Sequence, residues 1–295
     1  MATEITLLAA TPFSLPAVVN SHGWVQLAPF ELGEDGAFSY VARLNSGHVL
    51  RFEAAPVDGG VCVATDADLT ERQQAELAQQ VRWMVGLDQD LGRFYTLARE
   101  HPQLAHVAAH ARGRLLRSPT LFEDVVKTIL TTNTSWAGTK RMAASIVAQF
   151  GEPLERDGTR RAFPAPEKLA GASEAFLRQE TGLGYRAPYI LELAVAVASG
   201  ALALEVLKES GLPTSELRKE LLKIKGVGNY AAANLLLILG HSDHIPIDSW
   251  ALRVVSQEWH RGEPIGPAEV EAAFAQWGEW KGLVYWFWEW TESKA

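Results

Sequence analysis

Hydrophobic and polar positions follow two different periods along this chain. From residue 1 to about 68 they come in short runs that alternate or carry β-branched residues, Val41 to Phe52 and Val61 to Ala64 above all, between Gly, Asn and Asp turns. Asn45-Ser46-Gly47, set between FSYVARL and HVLRFEA, is a hairpin-turn signal. From Thr70 the period changes. Glu71 to Arg82 is rich in Gln, Ala and Leu, and the pattern stays helical from there on. Pro102, Pro119, Pro153, Pro164, Pro166, Pro213, Pro246 and Pro267 punctuate it at helix boundaries. The pattern predicts an α+β protein: a small N-terminal antiparallel β domain over 1–68, then a mainly α-helical body over 69–295 with about eight to ten helices. No internal repeat or low-complexity linker interrupts it.

The helical pattern is most specific between Leu217 and Trp259. Leu217, Leu221, Leu222 and Ile224 recur at helical spacing, Gly226-Val227-Gly228 interrupts them, and Ala231 to Leu239 is a small-residue apolar helix. Two closely packed helices joined by a tight glycine turn are expected over about 214–240. Glycines at both corners permit positive φ and leave backbone N–H groups uncovered. Amides exposed at a helix N-terminus form an anion site, and a nucleic-acid phosphate is one ligand for it. Asp248 follows Ile245-Pro246-Ile247 and opens a further helical run, Trp250 to Trp259. An aspartate there is a good N-cap, and the helix dipole also favours its negative charge.

The glycine hairpin with an aspartate at this distance resembles the helix-hairpin-helix (HhH-GPD) DNA glycosylase superfamily, in which GVG is followed by a P-x-D segment bearing the catalytic carboxylate. Ser118 to Gly151 looks like the family's first core helices with an asparagine in the loop between them. GLGYRAPY, residues 182 to 189, is similar to a segment of 8-oxoguanine glycosylases. LDQDLGRFYTL, residues 87 to 97, resembles the joint between N-terminal and helical domains of 3-methyladenine glycosylase II (AlkA-like) enzymes, and Trp277 to Gly282 fits the closing helix. The resemblance covers about residues 85 to 290 and lies between those two branches.

It implies that Asp248 is catalytic, stabilising the oxocarbenium-like transition state of N-glycosidic cleavage. It further implies a base pocket drawn from Tyr230, Asn234, Trp136 and Tyr185, with Trp250, Tyr285, Trp286 and Trp288 on or near the later helices. DNA contacts are expected from Gly226, Val227 and Gly228, from Lys223, Lys225 and Arg186, and from Asn133, which would fill the gap left by an extruded nucleotide. A structural sodium or potassium ion is expected on the carbonyls of Leu222, Ile224 and Val227. Tyr230 stands where bifunctional members carry a lysine nucleophile. A tyrosine forms no Schiff base, so a monofunctional enzyme without lyase activity is expected. Tyr285 and Glu289 stand where the 8-oxoguanine branch reads its lesion, which favours alkylated purines. The alternatives are an 8-oxoguanine-type glycosylase and a non-catalytic protein that binds DNA lesions.

Composition narrows the picture. A hydrophobic fraction of 47% over 295 residues supports a sizeable core. No apolar run reaches about 18 residues, so no membrane span is expected. The N-terminus carries no basic segment ahead of an apolar one, which makes a cytoplasmic, nucleoid-associated protein the default. Cys62 is the single cysteine, which excludes an intramolecular disulfide and any four-cysteine zinc or iron–sulfur site. The histidines show no zinc-ligand spacing, so no required cofactor is expected. The partner implied is double-stranded DNA containing a damaged base, bound by a monomer. A net charge of −8 is wrong for an indiscriminate nucleic-acid binder, so attraction must come from local patches. Arg112, Arg114 and Arg117 form one expected patch, and Lys127, Lys140 and Arg141 another. Lys219, Lys223 and Lys225 form a third, which flanks the hairpin amides.

Overall fold

The computed structural model describes residues 3–291. The chain forms two compact units, one running to Gln89 and joined by Arg114–Ser210, the other made of Asp90–Gly113 and the chain from Gly211 onward. The first contains a five-stranded antiparallel sheet of β1 (Thr3–Leu8), β2 (Phe30–Leu32), β3 (Phe38–Arg43), β4 (Val49–Val57) and β5 (Gly60–Thr65). The spatial order is β1-β5-β4-β3-β2. The turn expected at Asn45-Ser46-Gly47 joins β3 to β4. It closes with Leu44 N–H donating to His48 O at 2.9 Å, and Gly47 takes the left-handed backbone at φ 83° that suits a residue without Cβ. Alternation along β4 turns Leu50, Phe52 and Ala54 inward, where they face Ala42, Tyr40 and Phe38 of β3.

The sheet ends at Thr65 and the first long helix, Glu71–Met84, starts behind a Thr70–Gln73 capping box. All five strands of this sheet thus precede residue 68. By packing, the strands share the first unit with helices Leu121–Leu130, Trp136–Phe150 and Ala187–Ala198. Among the described residues ten helices of at least seven residues form. A small hairpin of Pro153–Leu154 and Asp157–Arg161 interrupts the helical stretch, an element the helical period did not predict.

Every position of Leu121–Leu130 is buried, including three charged ones. Burial of charge requires partners. Lys127 Nζ contacts Glu123 Oε1 at 2.6 Å, and Glu123 Oε2 accepts from Tyr40 O–H at 2.6 Å. Asp124 Oδ1 accepts from Trp24 Nε1 at 2.8 Å and from Ser118 N–H at 3.0 Å. Burial pushes the Asp124 carboxyl up to about 6, and burial followed by the Lys127 charge pushes His22 down to about 3. Arg117 lies 4.3 Å over the Trp83 ring, its pKa pulled down to about 10 by burial. Arg114 donates to the carbonyls of Gly86 and Gln89 at 3.0 Å, and to those of Pro12 and Ala10. Arg114, Arg117 and Lys127 are therefore no part of a DNA-facing patch: all three cations are interior, held by groups 25 or more residues away or by a carboxylate one helical turn back, whereas Arg112, Lys140 and Arg141 are exposed.

The second unit is helical. Its helices include Gly92–Arg99, Thr214–Leu222, Asn229–Ile238, Ser249–Trp259, Pro267–Phe274 and Lys281–Phe287. Its core is aromatic: Trp288 packs 5.3 Å from both Trp259 and Trp277 and 6.0 Å from Phe274, each in tilted or edge-on contact. No helix among the described residues is long and apolar enough to cross a membrane.

Candidate active site

Helix Thr214–Leu222 buries Leu217 and Leu221, then tightens: Ile224 N–H donates to Leu221 O at 3.1 Å and Val227 N–H to Ile224 O at 3.0 Å. Gly226 reverses the chain at φ 86°, a conformation in which a Cβ is strained. Gly228 differs from the expectation. Its backbone is extended at φ −90°, ψ −171°, and a Cβ there would meet nothing within 4 Å. Gly228 is not needed for the turn itself. Its bareness keeps the space in front of the next amides open.

Helix Asn229–Ile238 starts directly after Gly228 with no side-chain cap, leaving its first N–H groups without intrahelical partners. Uncapped amides at the positive end of a helix dipole form an anion site. The flanking lysines add less than their number suggests. Lys219 is paired with Glu216 at 2.8 Å and Lys223 with Glu220 at 2.7 Å, both on the exposed surface. Arg218 instead donates to Asn229 Oδ1 at 2.8 Å, beside the turn. The Leu222, Ile224 and Val227 carbonyls lie where the chain leaves the first helix, and that of Ile224 already accepts one hydrogen bond. Neutral backbone oxygens suit sodium or potassium, which leaves this donor set compatible with a monovalent ion.

After Asn229–Ile238 the chain passes through buried Ile245 and Pro246 to Asp248, which has β-region backbone angles and caps Ser249–Trp259. Its Oδ1 accepts from Ala251 N–H at 2.9 Å. Among the described residues Oδ2 has no hydrogen-bond partner. The carboxylate is thus oriented by one oxygen and available through the other. Trp250, 40% exposed, stands in the same first turn with its ring edge-on to Tyr285 at 6.2 Å and to Trp290 at 5.6 Å. The Tyr285 phenol is pushed well above its ordinary pKa, first by burial and then by the charges of Asp248 and Tyr230. Asp248, Tyr230, Tyr285 and Trp250 therefore form one constellation in this unit.

Other expected residues are placed differently. Trp288 belongs to the core, buried among Trp259, Phe274, Trp277 and Trp290, and its indole N–H has no acceptor among the described residues. Trp286 is half-buried at the end of helix Lys281–Phe287. Asn234 donates its amide to the Tyr230 carbonyl of its own helix at 3.0 Å, so that N–H is occupied. In the first unit, Trp136 donates to Gln26 Oε1 at 2.9 Å and fills the space over Gly23, where a Cβ would overlap the ring. Asn133 is exposed at the end of a buried helix in left-handed backbone, φ 46°. Arg186, expected as a DNA contact, is buried. It donates to the Thr132 carbonyl, with its guanidinium 4.5 Å over the Tyr185 ring. Tyr185 O–H lies 3.1 Å from Thr132 Oγ1, so both side chains brace the Thr132–Asn133 loop. Two features went unread in the sequence: the Arg218 to Asn229 contact, and the close approach at Gly282 described below. A basic residue on the last exposed turns of the first hairpin helix was the available signal for the former.

The second unit thus combines a two-helix glycine hairpin with a capping aspartate beside an aromatic wall. The family model described as HhH-GPD superfamily base excision DNA repair protein matches residues 126–279, and the chain belongs to that superfamily. A protein of Methanothermobacter thermautotrophicus named probable N-glycosylase/DNA lyase is 27% identical over 233 residues, 72% of this chain and 73% of the relative. The Bacillus subtilis DNA-3-methyladenine glycosylase is 28% identical over 183 residues, covering 61% of this chain and 60% of its own. Among solved structures, a 3-methyladenine DNA-glycosylase from Archaeoglobus fulgidus superposes with a TM-score of 0.75 at 23% identity, over 97% of both chains. The Clostridium acetobutylicum 8-oxoguanine glycosylase/lyase in its apo form gives 0.75 at 20% identity, over 96% of this chain and 94% of that one. These two share the fold.

Proposed function

We propose that this protein is a monofunctional, monomeric DNA glycosylase that extrudes a damaged base from duplex DNA and hydrolyses its N-glycosidic bond, with alkylated purines as its substrates. Membership in the superfamily and the glycosylase relatives support the coarser statement, a DNA glycosylase of base excision repair. The observation that carries the finer reading is Asp248, anchored through Oδ1 and open at Oδ2 beside Tyr230, Tyr285 and Trp250.

As the C1′–N bond breaks, its electron pair leaves with the base and positive charge grows on the sugar. The Asp248 carboxylate stabilises that charge. Water adds to C1′ and loses its proton to the carboxylate or to solvent, leaving an abasic site. Tyr230, two residues after Gly228, offers no amine, so water is the nucleophile. The Tyr285 phenol beside Asp248 keeps its proton and is a poor general acid. A cationic alkylated purine leaves without protonation, because the departing electron pair quenches the charge it already carries. No cofactor enters these steps. A sodium or potassium ion on the Leu222, Ile224 and Val227 carbonyls would serve only to hold the hairpin amides toward phosphate.

The test is a panel of duplexes with a single 3-methyladenine-type lesion, hypoxanthine, 8-oxoguanine or uracil, each incubated with protein and divided between aliquots with and without hot alkali. Breaks at the alkylated purine only after alkali are expected. Breaks without alkali would overturn the monofunctional reading, with Lys225 the first suspect. Preferential cleavage at 8-oxoguanine would overturn the substrate assignment. Binding without any breaks would leave a lesion-binding protein.

A further inference from the structure

Gly282, second residue of helix Lys281–Phe287, is where this helix meets the loop that leads to Asp248. Its N–H donates to the Ser242 carbonyl at 2.6 Å, and the Ser242 hydroxyl donates to Glu279 O at 2.8 Å. A Cβ at Gly282 would overlap the His244 carbonyl oxygen, lie 2.7 Å from that of Ser242 and lie 3.1 Å from Leu237 Cδ2 of the second hairpin helix. Two of the three obstacles are backbone, which cannot swing aside as a flexible side chain can. From His244 only Ile245-Pro246-Ile247 separate this contact from Asp248, and Ile245 and Pro246 are buried. A stretch that short and partly proline-locked transmits a displacement instead of absorbing it. Three residues beyond Gly282, one helical turn on, Tyr285 meets Trp250 of the Asp248 turn at 6.2 Å.

We infer that Gly282 is a positioning residue that fixes the Asp248 carboxylate against the aromatic side chains of the closing helix. The closing helix and the aspartate turn are thereby tied at two points, Gly282 to the Ser242–His244 loop and Tyr285 to Trp250. Sliding one of them would move the carboxylate relative to the aromatic wall. The inference rests on Asp248 acting as proposed above, but its geometry is tested separately.

In the full-length protein, Gly282→Ala is expected to lower the single-turnover cleavage rate on the best lesion duplex about 100-fold, the scale of an ångström-sized misplacement. Affinity for a duplex bearing a tetrahydrofuran abasic analogue should be unchanged. Independently of activity, the Ala251 amide held by Asp248 Oδ1 should exchange with deuterium about tenfold faster, while the Val254 and Val255 amides of the same helix keep their protection. Ser242→Ala removes only the hydroxyl bond to Glu279 and should lower the rate about fivefold. If Gly282→Ala does not fold, Ser242→Ala decides by the same readouts. A folded Gly282→Ala with wild-type Ala251 exchange would overturn the inference, as would a rate loss matched by lost affinity for the abasic duplex. Wild-type protein inactive on every lesion would sink the proposed function alone, because the exchange measurement still reads the positioning.

Discussion

Asp248 has two separable jobs, and two substitutions distinguish them. Its Oδ1 holds the Ala251 N–H at 2.9 Å, which is a capping contact, while its charge is the feature assigned to catalysis. Asp248→Asn keeps an acceptor oxygen at the same place and asparagine caps as well as aspartate, so stability should change by less than about 0.5 kcal/mol. Asp248→Ala removes the cap and should cost about 1 kcal/mol, lowering Tm by roughly 2–4 °C for a chain of this size. For the reaction the order differs. Both variants lose the negative charge, and removal of one preorganised electrostatic group costs on the order of 10³-fold, about 4 kcal/mol of barrier. Single-turnover cleavage of the panel's best substrate, beside a thermal melt of the same preparations, reads both quantities. The expected result is two inactive proteins of which only the alanine variant is less stable. An asparagine variant within tenfold of the wild-type rate would refute the catalytic assignment and reduce Asp248 to a helix cap.

Further outcomes follow from the buried charges and the hairpin. Lys127→Met should destabilise by about 3–5 kcal/mol, because it strands Glu123 in the interior. Adding Glu123→Gln, which still accepts from Tyr40, should recover most of that in a urea titration, and a double variant no better than the single one would contradict the reasoning. Asp124 and His22 should show opposite pH dependences. The Asp124 value near 6 lies above its unfolded 3.8, so its contribution is present below pH 4 and lost as pH rises through 6. Asp124→Asn should therefore gain on wild type by roughly 3 kcal/mol over that interval. The His22 value near 3 lies below its unfolded 6.5, so wild type loses stability as pH falls from 6.5, and His22→Gln should gain on it in that direction. Denaturation midpoints between pH 4 and 7 check both, and parallel profiles for the two variants would count against the burial argument. Gly226→Ala should destabilise by more than about 1 kcal/mol, because φ 86° strains a side chain. Gly228→Ala should leave Tm unchanged yet weaken binding to an abasic-analogue duplex about tenfold, the worth of one charge-assisted hydrogen bond. Unaltered affinity there would move the phosphate site elsewhere.

The parts legible in the sequence are those set by neighbouring residues. The β3–β4 turn, the start of the helix after Thr70, the Gly226–Gly228 turn and the capping aspartate each depend on a few consecutive positions. What the sequence concealed depends on distant partners. Lys127 looks like a surface cation on a helix until Tyr40, on a strand over 80 residues earlier, closes over its carboxylate partner. Arg114 looks equally exposed until four backbone carbonyls converge on it. Arg186 carries the right charge for a phosphate contact, but the Thr132 carbonyl claims it. The closing-helix aromatics could not be sorted by spacing alone: Tyr285 reaches the Asp248 turn, whereas Trp288 faces into the ring cluster.

The buried bond from Tyr40 to Glu123 also acts as a proofreading device for assembly. Tyr40 faces Phe52 across β3 and β4, with its hydroxyl on Glu123 at 2.6 Å. Shifting β3 by a single residue would turn Tyr40 to the opposite face and bring Ser39 or Val41 to the carboxylate. A mispaired sheet would then leave the interior ion pair short of its third member, a penalty added to the loss of the inward packing of Phe38, Tyr40 and Ala42. A chain whose strands pair wrongly is thus marked by an electrostatic fault at its centre, and only the correct pairing is free of it.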